Sequence, residues 1–210
     1  MLTLLHKPRQ RGFTMIEMAI TMAIFGILLA AALPSISEWT DNTRIRNTAE
    51  TLQNGIQIAR NEAVRRNQPV SFYLVSSDTP QAMSANCTRS STSGAWIVSL
   101  SDPTGQCDQP PSDVNAPMIV VGRPSGDGAT RVSIAAVDAN GTGATALTFN
   151  GFGRVAANAD GSQSIRQITV TGLDANTHYR NIAIQISQQG MVRTCEPDIA
   201  ATSDDPRKCQ

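Results

Sequence analysis

The feature that most limits what this chain can fold into is an apolar run, FTMIEMAITMAIFGILLAAAL, over residues 13–33, interrupted by one charge, Glu17. As a helix rising about 1.5 Å per residue it reaches roughly 30 Å, one hydrocarbon thickness. A lone acid inside such a segment costs roughly 2.5–3.5 kcal/mol at the helix centre, so it demands a partner. The preceding stretch, MLTLLHKPRQRG, carries Lys7, Arg9 and Arg11 and no acid. By the positive-inside rule it stays in the cytoplasm and sends the C-terminal bulk outward. An ordinary cleaved signal peptide, with LAAAL near Ala32 as the cleavage region, and a plain signal anchor are two simpler readings. Neither accounts for Glu17 or for the RGF at the junction of polar and apolar sequence.

The apolar character persists beyond the run, but its pattern changes. Pro34 should kink the helix rather than end it. Ile45, Ala49, Leu52, Ile56, Ala59 and Ala63 then recur at spacings of four and three, while Arg46, Gln53, Gln57 and Arg60 lie mostly off that stripe. This is one apolar face of an amphipathic helix. It should stop at about Arg66, ahead of Pro69, because the residue before a proline disfavours the helical region. From Phe13 the helix would run about 50 residues, or roughly 80 Å.

Short strand-like runs follow: VSFYLV (70–75), AWIVSL (95–100), PMIVV (117–121), RVSIAA (131–136), ALTFN (146–150), IRQITVTG (165–172), YRNIAIQIS (179–187) and MVRTC (191–195). Several alternate with period two, and Ile182, Ile184 and Ile186 fall on one face. The turn signals GDG, ANGTG, NADGS and LDANT separate them. The fold class is α+β: a long N-terminal helix, transmembrane in its first half and amphipathic in its second, packed on an antiparallel two-sheet β domain. The Ser/Thr/Asn-rich loop 76–94 and the Pro/Asp loop 101–116 read as surface insertions.

Four cysteines, Cys87, Cys107, Cys195 and Cys209, lie behind the export-type segment, which favours disulfides over thiols. Three connectivities are open; the local one, Cys87–Cys107 with Cys195–Cys209, is simplest, since each bond closes a loop too polar to pack its own core. No CxxC pair occurs and there are only two histidines, so no metal site is expected. Calcium binding by DANGTG lacks the further carboxylates that a site needs. Asp138, Asp160 and Asp174 belong to turns. His178 is the one histidine beyond residue 12, and no nucleophile–base pattern or phosphate loop is present. No enzymatic activity and no cofactor are expected. With 17 basic and 17 acidic residues, the overall charge leaves no nucleic-acid footprint.

The junction RGFTMIE resembles the class III signal sequence of type IV pilins and type II secretion pseudopilins. The resemblance implies cleavage by a prepilin peptidase between Gly12 and Phe13 and methylation of the new amine on Phe13. Glu17 then matches the family's acid at the fifth mature position, and Gly26 and Pro34 sit where that family often loosens its helix. The implied partner of Glu17 is the N-terminal ammonium of an adjacent subunit, which would relieve the desolvation of both charges. Loss of Lys7, Arg9 and Arg11 would leave 14 basic against 17 acidic residues.

IQIARNEAVRRNQPVSFYL (56–74) resembles the GspH/FimT branch of minor pseudopilins, and FNGFGRV (149–155) resembles that branch's Phe-x-x-x-Gly signature. The implied organisation is a leader (1–12), a transmembrane and filament-core helix (13–33), its amphipathic continuation (34–67) and a periplasmic β-rich domain (68–210). The implied function is that of a minor pilin in the tip or priming complex of a type IV pilus. An H-type pseudopilin of a type II secretion system is the alternative; the disulfide-closed C-terminus leans toward the pilus. Implied partners are the prepilin peptidase, other minor and major pilins or pseudopilins, and the inner membrane, which a single pass would cross.

A reading of another class is a DNA-binding receptor subunit of a competence pilus. FimT-type members share a C-terminal Gly-Arg-x-Arg element. GMVRTC (190–195) keeps Gly190 and Arg193 but has Met191 for the first arginine. Arg207 and Lys208 would join Arg193 if Cys195 bonds Cys209, and Arg154 and Arg180 would extend the patch. Glu196, Asp198, Asp204 and Asp205 in the same tail oppose it.

Overall fold

The computed structural model describes residues 12–129, 131–173 and 179–209, with the side chains at 30–37, 127 and 128 outside that set. Lys7, Arg9, Arg11, Asp174 and His178 therefore lie outside the described residues. The chain divides into two compact units, Met1–Trp39 and Thr40–Gln210. Helix α1 (Met15–Arg66) contributes to both and continues past Pro34.

In the first unit, α1 starts at a capping box. Thr14 Oγ1 accepts from the Glu17 amide at 3.3 Å, and the Glu17 carboxylate accepts from the Thr14 amide at 3.0 Å and its hydroxyl at 3.1 Å. Two of the helix's orphan donors are thereby satisfied reciprocally. The apolar side chains that follow, from Met15 to Leu29, are exposed. Among the described residues no helix is long and apolar enough to cross a membrane; the apolar sequence 13–33 extends into positions 30–33, outside the described side chains.

In the second unit, the expected stripe is the core. Ile45, Ala49, Leu52, Ile56, Ala59 and Ala63 are all buried. They join residues of two antiparallel sheets in one cluster. The larger sheet runs β4 (Ile119–Arg123), β3 (Ala95–Ser99), β1 (Val70–Ser76), β6 (Ala146–Phe149), β7 (Val155–Ala156), with β2 (Thr88–Arg89) also pairing with β1. The smaller runs β10 (Val192–Cys195), β9 (Ile182–Ile186), β8 (Gln167–Gly172), β5 (Val132–Val137). Phe72, Leu74, Trp96 and Val98 come from the first sheet; Ile134, Ile168, Val170, Ile184 and Ile186 come from the second. A short α2 (Gly126–Ala129) precedes β5.

Helix α1 ends where the stripe predicts, but by a device that the proline argument missed. Asn67 is left-handed, with φ 51°. Its amide donates to Val64 O, and the Gln68 amide donates to Ala63 O. That pair of bonds is a Schellman motif, with asparagine in the place usually held by glycine. One strand also begins later than expected. Pro117 and Met118 belong to the turn before β4, since proline has no amide for the ladder and Met118 has φ 54°.

The two insertions are not merely surface loops. The outer face of the larger sheet, Tyr73, Val75, Ala95, Ile97, Ile119 and Ala146, is buried with Cys87 and Cys107 in a second cluster. Cys87 and Cys107 are bonded, with Cα atoms 6.0 Å apart. Strand β1 is consequently buried on both faces, which is why VSFYLV reads as a nearly continuous apolar run rather than an alternating one. Arg66 at the end of α1 pairs with Asp113 of the second insertion at 2.6 Å.

Gly55 sets how closely helix and sheet approach. A Cβ there would lie 2.8 Å from ring atoms of both Phe72 and Trp96. Alanine has the better helix propensity by about 1 kcal/mol, but forcing the rings away from a packed core costs about 1–3 kcal/mol. We expect Gly55→Ala to lower stability in denaturant titration; an unchanged or raised midpoint would show that the helix has slack over the sheet.

Candidate functional site

Two regions carry the residues singled out from the sequence: the start of α1, and the C-terminal tail with the turns near it. At the helix start, Gly12 and Phe13 are exposed and non-helical, directly ahead of Thr14. The Gly12–Phe13 bond is thus exposed and outside the helix, which is what the expected cleavage there would require. The capping box adds Thr14 to the site. The Thr-x-x-Glu spacing ahead of an apolar run is the sequence signal for it. Both its members lie beyond Gly12, so cleavage there leaves the box whole. Glu17 fastens the first turn through one carboxylate oxygen, Oε2.

In the tail, Cys195 and Cys209 are bonded, with Cα atoms 5.0 Å apart, so the local pairing holds for both disulfides. The bond brings Arg180, Arg193, Arg207 and Lys208 together, as the patch reading requires. Each of them, however, is engaged with the tail. Glu196 Oε1 accepts from Arg180 Nε at 2.9 Å and from Arg207 at 3.2 Å. Asp205 is gripped by Arg207 through Nε at 3.0 Å and a terminal nitrogen at 2.6 Å. Arg193 donates to the carbonyls of Pro206 at 3.0 Å and Lys208 at 3.3 Å. Lys208 Nζ donates to Ala201 O at 3.0 Å and Ser203 O at 2.6 Å. Asn181 ties Asp198 at 2.8 Å. The hydrogen bonds from Arg207 hold the Asp205 carboxyl well below its ordinary value, at about 2. These cations hold a tail in which Ile199 is the one large apolar residue.

Arg154 lies apart from them. It lines an open polar groove of about 620 Å³ with Arg166, Asn150, Gln163, Gln188 and Gln189, and no carboxylate among the lining residues. Arg166 was not singled out from the sequence; nothing in its local pattern marks it.

The two signature segments meet in space. In FNGFG, the Asn150 side chain accepts from the amides of Phe152 at 3.0 Å and Arg154 at 3.1 Å, and its carbonyl accepts from Gly153 N at 2.8 Å. Gly153 has φ 70°, and its carbonyl accepts from Arg60 Nε of α1 at 3.1 Å. Gly190 of the β9–β10 turn has φ 79°, and a Cβ on it would overlap the Gly153 carbonyl. The two glycines therefore permit backbone-to-backbone packing of both turns beside the helix. Val155 N donates to Gln188 O at 3.1 Å and extends the seam.

An exposed pre-helical junction, a capped apolar helix and a helix-filled two-sheet domain stapled by two disulfides define a pilin-type subunit. Residues 7–33 match the family described as the prokaryotic N-terminal methylation motif, and residues 48–190 match that described as type II transport protein GspH. The second match spans more than half of the sequence, and the chain belongs to the GspH family. Over 59 residues the chain is 32% identical to competence protein ComGD of Bacillus subtilis (strain 168), covering 28% of this chain and 41% of that protein's length. The crystal structure of the type IV minor pilin FimU from Pseudomonas aeruginosa (strain PAO1) aligns with a TM-score of 0.46 at 16% identity, over 76% of this chain and 92% of that one. A second crystal form of FimU gives 0.39 at 14% identity, over 72% and 92%.

If Arg193 is a tail clamp, Arg193→Ala should raise proteolysis of the 196–209 segment with no nucleic acid present, while the β domain stays intact; unchanged cleavage would remove the clamp. The Asp205 grip has a definite pH dependence. Because its folded pKa is lowered, its contribution is present above the ordinary aspartate value of 3.8 and is lost as pH falls through about 2. An NMR titration of the Arg207 side-chain N–H should show release over that window.

Proposed function

We propose that this chain is a minor pilin, cleaved after Gly12, methylated on Phe13 and built into the tip or priming complex of a type IV pilus. The carrying observation is the N-terminal methylation motif over residues 7–33, with Glu17 at its place in an apolar helix. Before assembly the subunit sits in the bacterial inner membrane by a single pass, with its β domain in the periplasm. In the filament, Phe13–Leu33 packs among the equivalent helices, and Glu17 meets the ammonium of a neighbouring subunit. The capping box supports this role. It fixes the carboxylate at the helix start through Oε2, so the second oxygen is presented at a set height along the helix axis. Two opposite charges in a low-dielectric bundle then define axial register as well as affinity. The subunit's work is assembly, with no catalytic step.

The likeness to a protein named for competence, over 59 residues, is compatible with a pilus that serves DNA uptake. A role for this chain as the DNA receptor draws less support, because Arg180, Arg193, Arg207 and Lys208 already hold the tail and would have to exchange those contacts for phosphates. The second reading, a pseudopilin of a type II secretion system, is favoured by the family described as type II transport protein.

Intact mass of the membrane-extracted protein tests the processing step. The expected species lacks residues 1–12 and carries one added methyl group; a species starting near Ala32 overturns the reading. Glu17→Val should be cleaved normally yet be lost from sheared filaments, and its retention at wild-type level would remove Glu17 from assembly.

A further inference from the structure

We propose that the corner formed by Phe152, Met191 and Val64, with the adjoining Arg154–Arg166 groove, is the face on which this domain docks a second, different pilin-type subunit. The inference rests on the assembly role above and names the contact surface of the β domain.

Aromatic residues make up only 4% of the chain, and the phenylalanine at 152 is 83% exposed. It is not exposed on a loose loop. Asn150 clamps its turn with three hydrogen bonds to residues 152–154, and Arg60 holds the Gly153 carbonyl. An aromatic on a backbone fixed in this way loses less entropy on binding than one on a loose loop, a property that suits an interface anchor. Two further exposed apolar residues, Val64 and Met191, neighbour this turn through the backbone. A Cβ at Gly153 would lie 3.2 Å from Val64 Cγ2, and Gly190 lies against the Gly153 carbonyl. Residues 64, 152 and 191 are thereby brought to one place, with Val64 half exposed and Met191 67% exposed.

The groove beside this corner decides the partner's chemistry. Its lining includes Arg154, Arg166, Gln188 and Gln189 and no acid. Phenylalanine, methionine and arginine are the residue types enriched at protein interfaces. Val64 and Met191 have no use to a nucleic-acid backbone, so a protein is the better fit. The complement is an apolar pocket rimmed by carboxylates. In a chain carrying a filament-assembly motif, the partner that meets the β domain is another subunit of the filament.

The test places a photoreactive phenylalanine analogue in the full-length chain, in its own host, at position 152, at 191, at Ile24 in the helix, and at Val114 as an exposed apolar control. The expected result is an adduct from 152 and 191, several-fold above that from Val114, whose other member is a different protein bearing an N-terminal methylation motif. With the probe at 191, Phe152→Asp should cut that adduct about tenfold or more. Adducts from Ile24 to other subunits, with none from 152 above the Val114 level, overturn the docking face and leave the assembly role standing. Adducts from 152 to nucleic acid or only to another copy of this chain overturn the chosen partner. Absence of subunit adducts from both Ile24 and 152 overturns the assembly role and this inference with it.

Discussion

The structure depends on one contact: the apolar stripe of α1 filling the space between two sheets. Each large side chain buried there is worth about 1.5–3 kcal/mol, and Leu52 and Ile56 are wholly inaccessible. Neither sheet alone has a partner for its inner face, so the helix is the core rather than an addition to it. Gly55 against Phe72 and Trp96 sets the separation, and the Schellman turn at Asn67 then reverses the chain directly into β1. The same helix that would carry assembly contacts in its first half is therefore the organising element of the folded domain in its second.

Around that core, polar sequence is held by crosslinks and charge rather than by burial. The bond from Cys87 to Cys107 lies in a second apolar cluster and fastens an insertion over the outer face of the larger sheet. Between Cys195 and Cys209, where Ile199 is the one large apolar residue, arginine and lysine side chains bind carbonyls and carboxylates instead. This division assigns the charged residues of the tail to structure. The groove of Arg154 and Arg166 is the contrasting case, with basic residues and no acid in its lining.

Much of the fold was legible because periodicity reports burial. The stripe from Ile45 to Ala63 and the alternation of Ile182, Ile184 and Ile186 mark their faces directly. The unalternating VSFYLV already carried the sign of a strand buried on both sides, and so of a covering insertion. The end of α1 was placed correctly for an incomplete reason, since Asn67 in a left-handed cap leaves no periodic signal. The patch of cations was harder. Residue type brought Arg193, Arg207 and Lys208 to notice, but whether a guanidinium faces solvent or a nearby carbonyl depends on the path of the tail.

By itself the sequence determined Glu17 with its Thr-x-x-Glu box, the end of the helix at Arg66 and the family, because these depend on residues adjacent in the chain. Only the tertiary structure decided that Gly153 and Gly190 meet, that Phe152 is exposed on a hydrogen-bonded turn, and that the tail's cations are occupied. Those outcomes depend on which turns fold against one another across long sequence separations, and no local pattern of residues encodes that distance.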